Sequence, residues 1–377
     1  MPPENTYNSP GIYIEPGPSF QPRIPSLPSN IPVFVGTTGS VNNQMQKTKI
    51  TSLLEYNEAF GDTGELNVHM KLYFENGGAD CFVVNAGQDN TNLLNCVNAL
   101  KPDDNCTLLV VPQMSSLGKQ QYAELAKAML SSCAIALNRF AILDVLGGAD
   151  YSIDTINNHR QLVGNENLKY GASYLPFLIV PGSTQPVAPS AAIAGIICQT
   201  DRTKGIWKAP ANVAVKGITD VSAKIDNVQQ EFLNVDPATG KSINVIRYFP
   251  GKGHLVWAAR TLAGNDNEWR YIPVRRFYMW VKACVSTGLG HFVFDPNEHK
   301  TWTAARGLVE NFLTTLWKEG ALQGTTPKEA FFVRAGLGQT MNQQDVNDGR
   351  LIVEVGLAIL RPAEFTMMHI VQPVSIS

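Results

Sequence analysis

Residues 106–145 read CTLLVVPQMSSLGKQQYAELAKAMLSSCAIALNRFAILDV. An apolar run comes first, then a turn, then Tyr122, Leu125 and Met129 at helical spacing, then a second apolar run, FAILDV. The spacing predicts a strand at CTLLVVPQ, a helix from Lys119 to about Leu130 and a strand at FAILDV. Strand, helix, strand is the unit of a parallel sheet, because a parallel crossover needs a dozen or more residues and a helix supplies them. The unit recurs outward on both sides. Upstream, IPVFVGTTG (31–39) reads as a buried strand ending in a Gly turn, and DCFVVNA (80–86) as another. Between them, Ser52 and Glu55 form a capping box for the helix SLLEYNEAF, which stops at Gly61. A second helix near Leu66 to Glu75 puts Leu66, Met70, Tyr73 and Phe74 on one face and closes at Gly77. Downstream, SYLPFLIV from Ser173 reads as a strand, and AAIAGIIC as the start of a small-residue helix suited to close packing. The alternation predicts an α/β body over 31–262, its largely parallel or mixed sheet covered on both faces.

From Asn265 the character changes. All six Trp lie at or after Trp207, and four of them (Trp269, Trp280, Trp302 and Trp317) follow Asn265. A helix is expected from about Val274 to Ser286, and a strand and turn at HFVFDPN. A longer helix starts near Glu298, with Trp302, Ala305, Leu308, Phe312 and Leu316 at helical spacing and a stop at Gly320. FFVRAG and RLIVEVGLAIL follow as strands around a DVNDG turn. Residues 263–364 are expected to form a smaller α+β domain, with the Trp residues as core aromatics or interface anchors.

The two ends read as extended arms. In 1–30, Gly11, Ile12, Tyr13, Ile14 and Glu15 make one short alternating strand. Pro16, Pro18, Pro22, Pro25, Pro28 and Pro32 then favour an extended path over helix. The segment is either a disordered leader or an arm carrying a strand for a neighbour's sheet. In 365–377, Met368, Ile370, Val374 and Ile376 alternate with His369, Val371 and Ser375, and Pro373 demotes the strand to an edge or bulged position. A terminal strand can complete its own domain or be donated; both remain open.

Composition narrows function. The 377 residues suffice for two or three domains. Charged residues make up 16%, against about 25% in ordinary globular chains. Partners covering much of the surface, or one large core, would account for that. A net charge of −2 gives no basic field for direct nucleic-acid binding. Cys81, Cys96, Cys106, Cys133, Cys198 and Cys284 form no CxxC pair and have no His at ligand spacing, so no metal is assigned. Cys81, Cys198 and Cys284 sit in apolar runs and read as reduced core thiols from cytoplasmic synthesis. The first residues show no Sec signal, and no run approaches the ~20 apolar residues a membrane span needs.

Motifs that imitate chemistry fail on inspection. ATGKS (238–242) looks like a phosphate loop, but Val235 stands where Gly is needed and Pro237 removes an amide. PGKGH (250–254) lacks dinucleotide spacing and reads as a loop. QDVNDG places Gln344, Val346 and Val355 where a calcium loop needs oxygen ligands. Asn105 heads a formal glycosylation sequon without a secretory context. Asp144 and His159 could be imagined as a hydrolase dyad, but no nucleophilic Ser stands in a matching context. No catalytic residue and no cofactor is assigned.

One resemblance spans most of the chain. It is carried by GIWKAPANVAV (205–215), INVIRYFPGKGHLVWAARTL (243–262) and RPAEF (361–365), with SPGIYIEP (9–16) and FVGTTG (34–39) at the front. The residues that carry it are Trp207, Ala209 to Asn212, Asn244, Trp257, Arg260 to Leu262, Arg275, Arg276 and Pro362 to Phe365. These blocks resemble the tail sheath proteins of contractile phage tails, R-type bacteriocins and related contractile injection systems. The resemblance implies a structural subunit, not an enzyme, with a subtilisin-like α/β body and a smaller C-terminal domain. It implies hexameric rings stacked as a helical sheath around an inner tube protein, with baseplate and terminator or cap proteins as further partners. Its arms, here Gly11 to Glu15 and Met368 to Ile376, would add strands to neighbouring subunits. The particle would be a virion tail or a released extracellular injection machine, with no membrane insertion by this chain. An α/β enzyme with a separate substrate domain and a static β-augmented filament are the competing classes.

Overall fold

Strand β1 (Pro32–Gly36) is buried along its whole length, which requires a paired strand on each edge and cover on both faces. A computed structural model describes residues 22–40, 44–102, 105–136, 138–234 and 236–375 of the chain. The other strands of the first half are β2 (Lys47–Ile50), β3 (Cys81–Asn85), β4 (Leu108–Val110), β5 (Phe140–Asp144) and β6 (Gly171–Leu175). β7 (Leu178–Ile179), β8 (Val213–Ala214), β9 (Asp220–Val221), β10 (Ile243–Phe249) and β11 (Gly253–Val256) follow. One nine-stranded sheet runs in the order β2-β3-β1-β4-β5-β6-β10-β11-β8. Its centre, from β3 to β10, is parallel, and β2, β11 and β8 join antiparallel at the two edges.

Helices cover this sheet. They are α1 (Leu53–Phe60), α2 (Glu65–Glu75), α3 (Leu93–Asn98), α4 (Lys119–Ala136), α5 (Ile153–Leu162), α6 (Ser190–Lys204) and α7 (Asn227–Asn234). α2 packs on α6, while α4 packs with α3 and α5; α4 and α6 both lie against the fully buried β5. At Gly195 in α6 a Cβ would stand 2.4 Å from the main-chain oxygen of Tyr73 in α2, so glycine permits the close approach. Helix α1 is capped by Ser52, whose hydroxyl accepts from Glu55 N at 3.2 Å. The return half of the expected capping box is different: the Glu55 carboxylate accepts from Thr51 N and Oγ1, both at 2.7 Å.

Three local expectations change. SYLPFLIV is two strands, because Pro176 interrupts it; β6 stays in the large sheet and β7 pairs with β9 in a separate two-stranded sheet. The helix expected to end near Leu130 continues to Ala136, keeping Cys133 in the core. HFVFDPN is a 3-10 turn, Gly290–Phe292, and a loop, not a strand. Its apolar residues split between a buried Phe292 and an exposed Phe294 without pairing to any sheet.

The C-terminal part packs α8 (Ile272–Leu289) and α9 (His299–Lys318) against β12 (Phe331–Arg334), β13 (Arg350–Leu357) and β14 (Thr366–Pro373). Short helices α10 (Pro327–Ala330) and α11 (Gln343–Asn347) lie between. The sheet order is β12-β13-β14, antiparallel throughout. Its core takes in Trp280, Trp302, Val309 and Leu313 from the helices, with Leu351, Val353 and Val355 from β13.

Candidate assembly site

Strand β14 alternates as its sequence demands: Met368 and Ile370 are buried, His369 and Val371 exposed. All eight residues pair with β13 of the same chain, from Thr366 opposite Leu357 to Pro373 opposite Arg350. Beyond Pro373 the chain stays attached, with Val374 N donating to Gly349 O at 2.8 Å and Ser375 N to Asp295 O at 3.0 Å. Val374 is buried. Ile376 and the front strand, Gly11, Ile12, Tyr13, Ile14 and Glu15, lie outside the described residues. Among the described residues, the outer edges of β12 and β14 carry no further strand. Each presents main-chain donors and acceptors along one side.

A strap formed by residues 22–31 crosses from the body to the C-terminal helices. Trp280 Nε1 donates to Leu27 O at 2.6 Å, Leu27 N donates to Cys284 Sγ at 3.4 Å, and Ile31 N donates to Thr107 Oγ1 at 2.9 Å. Beneath it, the Arg276 guanidinium of α8 clasps the Asp201 carboxylate of α6 through two bonds of 2.9 and 2.7 Å. Ser29 Oγ donates to the same carboxylate at 2.8 Å, and Arg276 also donates to Ser29 O at 2.8 Å. The neighbouring Arg275 lies over the rings of Tyr170 and Trp269, 4.3 and 4.5 Å from their centroids. A signal for this junction was present in the sequence: Arg276 shares a helical face with Trp280, one turn on, where an apolar residue is expected.

Between strap, α8 and α9 lies a groove of about 640 Å³. Ile24, Leu27, Trp207, Trp280, Leu308 and Phe312 line it, with the exposed Arg23 and Glu319 also on its walls.

The positions that imitate catalysis are sealed. His159 and Asp144 are 1% and 0% exposed, and Tyr122 stands between them. Tyr122 Oη donates to the main-chain oxygen of Asp144 at 2.8 Å and contacts His159 Nδ1 at 3.1 Å; His159 Nε2 meets Ser173 Oγ at 2.9 Å. A neutral imidazole satisfies this chain, with Nδ1–H donated to Tyr122 and Nε2 accepting from Ser173. Burial lowers His159 to about 3, with help from Arg160 and Lys241. Burial raises Asp144 to about 7, and Asp144 accepts from Ser190 N, at the first residue of α6, at 2.8 Å. Ser173 is a partner that sequence reasoning missed, but no substrate can reach it, since it too is fully buried.

The ATGKS turn is structural as well. Asp236 Oδ2 accepts from Thr239 N at 2.9 Å, and the buried Lys241 donates to the main-chain oxygen of Arg160. At the C-terminal ends of β1 and β4, where open α/β sheets hold ligands, the buried Gln113 bonds Thr37 through N, O and Oγ1. That crevice is plugged. No group of three or more His, Cys, Asp or Glu suited to a metal occurs among the described residues. None of the helices searched is long and apolar enough to cross a membrane.

Comparison with known proteins explains a fold rich in joints and poor in chemistry. Residues 86–262 match the phage tail sheath protein central domain, and residues 264–372 the phage tail sheath C-terminal domain. The chain belongs to the contractile tail sheath family. Its fold is similar to the contracted sheath complex of an extracellular contractile injection system, PVC, with TM-score 0.79 and 31% identity over 97% of this chain and 98% of that one. The contracted helical sheath of the anti-feeding prophage is similar too, with TM-score 0.76 and 33% identity over 96% and 99% of the two chains. A prophage major tail sheath protein of Pseudomonas aeruginosa is 27% identical over 33% of this chain and 29% of its own length. The match to that curated relative therefore spans less than a third of it. These family members are structural sheath proteins, not enzymes, and this chain is a structural sheath subunit.

Proposed function

We propose that this chain stacks as hexameric rings around an inner tube protein and contracts to drive that tube through a target envelope. The observation that carries the proposal is end-to-end likeness to two contracted sheaths at 31% and 33% identity. Baseplate and terminator or cap proteins would bound the cylinder, in a virion tail or a released extracellular particle. The reading includes a subtilisin-like form for the body and arms that link subunits.

Strand addition supplies the links. The open edges of β12 and β14 can each accept an extended segment, and Gly11 to Glu15 of a neighbour has the alternation to fit. Five residues making four or five hydrogen bonds at ~0.5–1.5 kcal/mol each give roughly 2–7 kcal/mol per arm. Met368 to Ile376 can serve by exchange. The register that β14 makes with its own β13 is available to a neighbour's β13 once the 358–365 connection swings away.

Contraction driven by lattice burial needs no nucleotide. If the contracted lattice buries on the order of 1,000 Å² more per subunit, area bookkeeping caps the release at ~25 kcal/mol. Desolvation and ordering reduce that figure.

Negative-stain electron microscopy of the chain expressed alone and with its tube partner tests the proposal. Long cylinders with six-fold end views support it. A protein that stays monomeric with the tube partner present overturns it.

A further inference from the structure

Phe294 is 87% exposed, the highest value among the exposed large apolar side chains of the described residues. It stands on a loop that is not free to fold it away. Phe292 anchors one side in the core, and Asp295 N donates back to Phe292 O at 3.0 Å. Asp295 O in turn accepts from Ser375 N at 3.0 Å. On the other side, Asn297 is buried, with Nδ2 donating to Val346 O at 3.1 Å and Oδ1 accepting from Trp302 Nε1 at 2.7 Å. A pre-organised aromatic of this kind loses little freedom when it docks. Aromatic side chains are also enriched at the buried centres of interfaces.

The same chain carries a receptor of matching chemistry, the groove between strap, α8 and α9, with Trp207, Trp280 and Phe312 on its walls. Its Arg23 and the Asp295 beside Phe294 are both exposed. Neither has a side-chain hydrogen bond or ion pair among the described residues. Phe294 does not reach the groove of its own chain. Phe294 precedes the start of α9, whereas Phe312 lies roughly 20 Å along that helix from His299. Knob and socket at opposite ends of one helix make a head-to-tail contact, the kind that propagates rings and helices instead of closing a dimer.

Resting on the sheath reading above, we propose that Phe294 of one subunit seats in the groove lined by Trp207, Trp280 and Phe312 of an adjacent copy. Asp295 of the first subunit then meets Arg23 of the second. This side-chain contact is separate from strand addition at β12 and β14.

A charge-swap cycle tests it, with the critical concentration for assembly read by sedimentation and folding read by thermal melting. Phe294→Ala, Arg23→Glu and Asp295→Arg should each leave the melt unchanged and raise the critical concentration on the order of tenfold. Arg23→Glu combined with Asp295→Arg should return it to near the wild-type value. Three results overturn the proposal: single variants that assemble like wild type, a double variant worse than both singles, or Phe294→Ala cylinders that form normally but release the tube. Should the wild-type chain itself fail to assemble, the sheath reading falls first and this contact with it.

Discussion

Arg276 and Asp201 form a two-bond ion pair at 2.9 and 2.7 Å, with side chains 3% and 2% exposed, between the C-terminal helix α8 and the body helix α6. With Arg275 between Tyr170 and Trp269, it makes two consecutive arginines the bolts of the interdomain joint. Desolvating such a pair cancels much of its attraction, so its strength shows when one partner is lost. Asp201→Ala should cost about 3–5 kcal/mol in urea unfolding, because Arg276 is left buried and uncompensated. Arg276→Met combined with Asp201→Leu should cost less than Asp201→Ala alone.

The strap adds a smaller increment. Ser29→Ala removes one hydrogen bond to the Asp201 carboxylate. About 1–3 kcal/mol should be lost, read in the same unfolding assay.

Asp144 sets a pH dependence. Its carboxyl is raised by burial from 3.8 to about 7, so between these values the unfolded chain gives up a proton that the folded chain keeps. Its contribution is complete below about pH 4 and is lost as pH rises through about 7. His159 acts oppositely: lowered from 6.5 to about 3, it loses stability as pH falls through that window. The His159 slope is common to wild type and Asp144→Asn and cancels in their difference. The stability advantage of Asp144→Asn over wild type should therefore grow by about 1 kcal/mol per pH unit from pH 4 to 7 and then level off. Urea titrations at four pH values check this.

Gly195 tests the close packing of α6 on α2. Alanine is the better helix former by about 1 kcal/mol. The added carbon would stand 2.4 Å from the Tyr73 main-chain oxygen, an atom that cannot swing aside. Overpacking should win, and Gly195→Ala should lower stability by a net 1–2 kcal/mol, about 1–3 °C in melting temperature.

Removing residues 363–377 separates an arm that only links neighbours from a strand its own domain requires. Met368, Ile370 and Val374 are buried in the C-terminal core, and losing all three forfeits on the order of 5 kcal/mol. The truncated chain should show red-shifted tryptophan emission, since Trp280 and Trp302 sit in that core. An unchanged spectrum would show the strand to be dispensable within the subunit.

The parallel centre of the sheet was legible because β1, β4 and β5 are continuous apolar runs separated by helical spacing. The split at Pro176 was not. An apolar run does not say to which sheet its two halves belong, and tertiary pairing with Asp220–Val221 decides it. HFVFDPN misled for a related reason, since an apolar run does not say that a partner strand exists, and Phe292 and Phe294 divide between core and solvent instead of sharing one face. Helix α5 went unread because its faces are mostly polar; Arg160 and His159 are buried in it, and their partners are distant in sequence. Likewise Arg276 interrupts the apolar stripe of α8, but nothing local points to its partner, since Asp201 lies 75 residues away. The absence of catalytic motifs was readable from spacing, but the plugging of the crevice by Gln113 needed the fold.

One chain that builds a sheath must support two lattice states. The direct measurement is electron microscopy of cylinders assembled on the tube partner, imaged before and after brief exposure to mild denaturant. A contractile sheath should show six-fold end views, with long narrow cylinders converting to short wide ones that no longer grip the tube. Cylinders of a single width that dissolve without shortening would contradict it and leave a static filament.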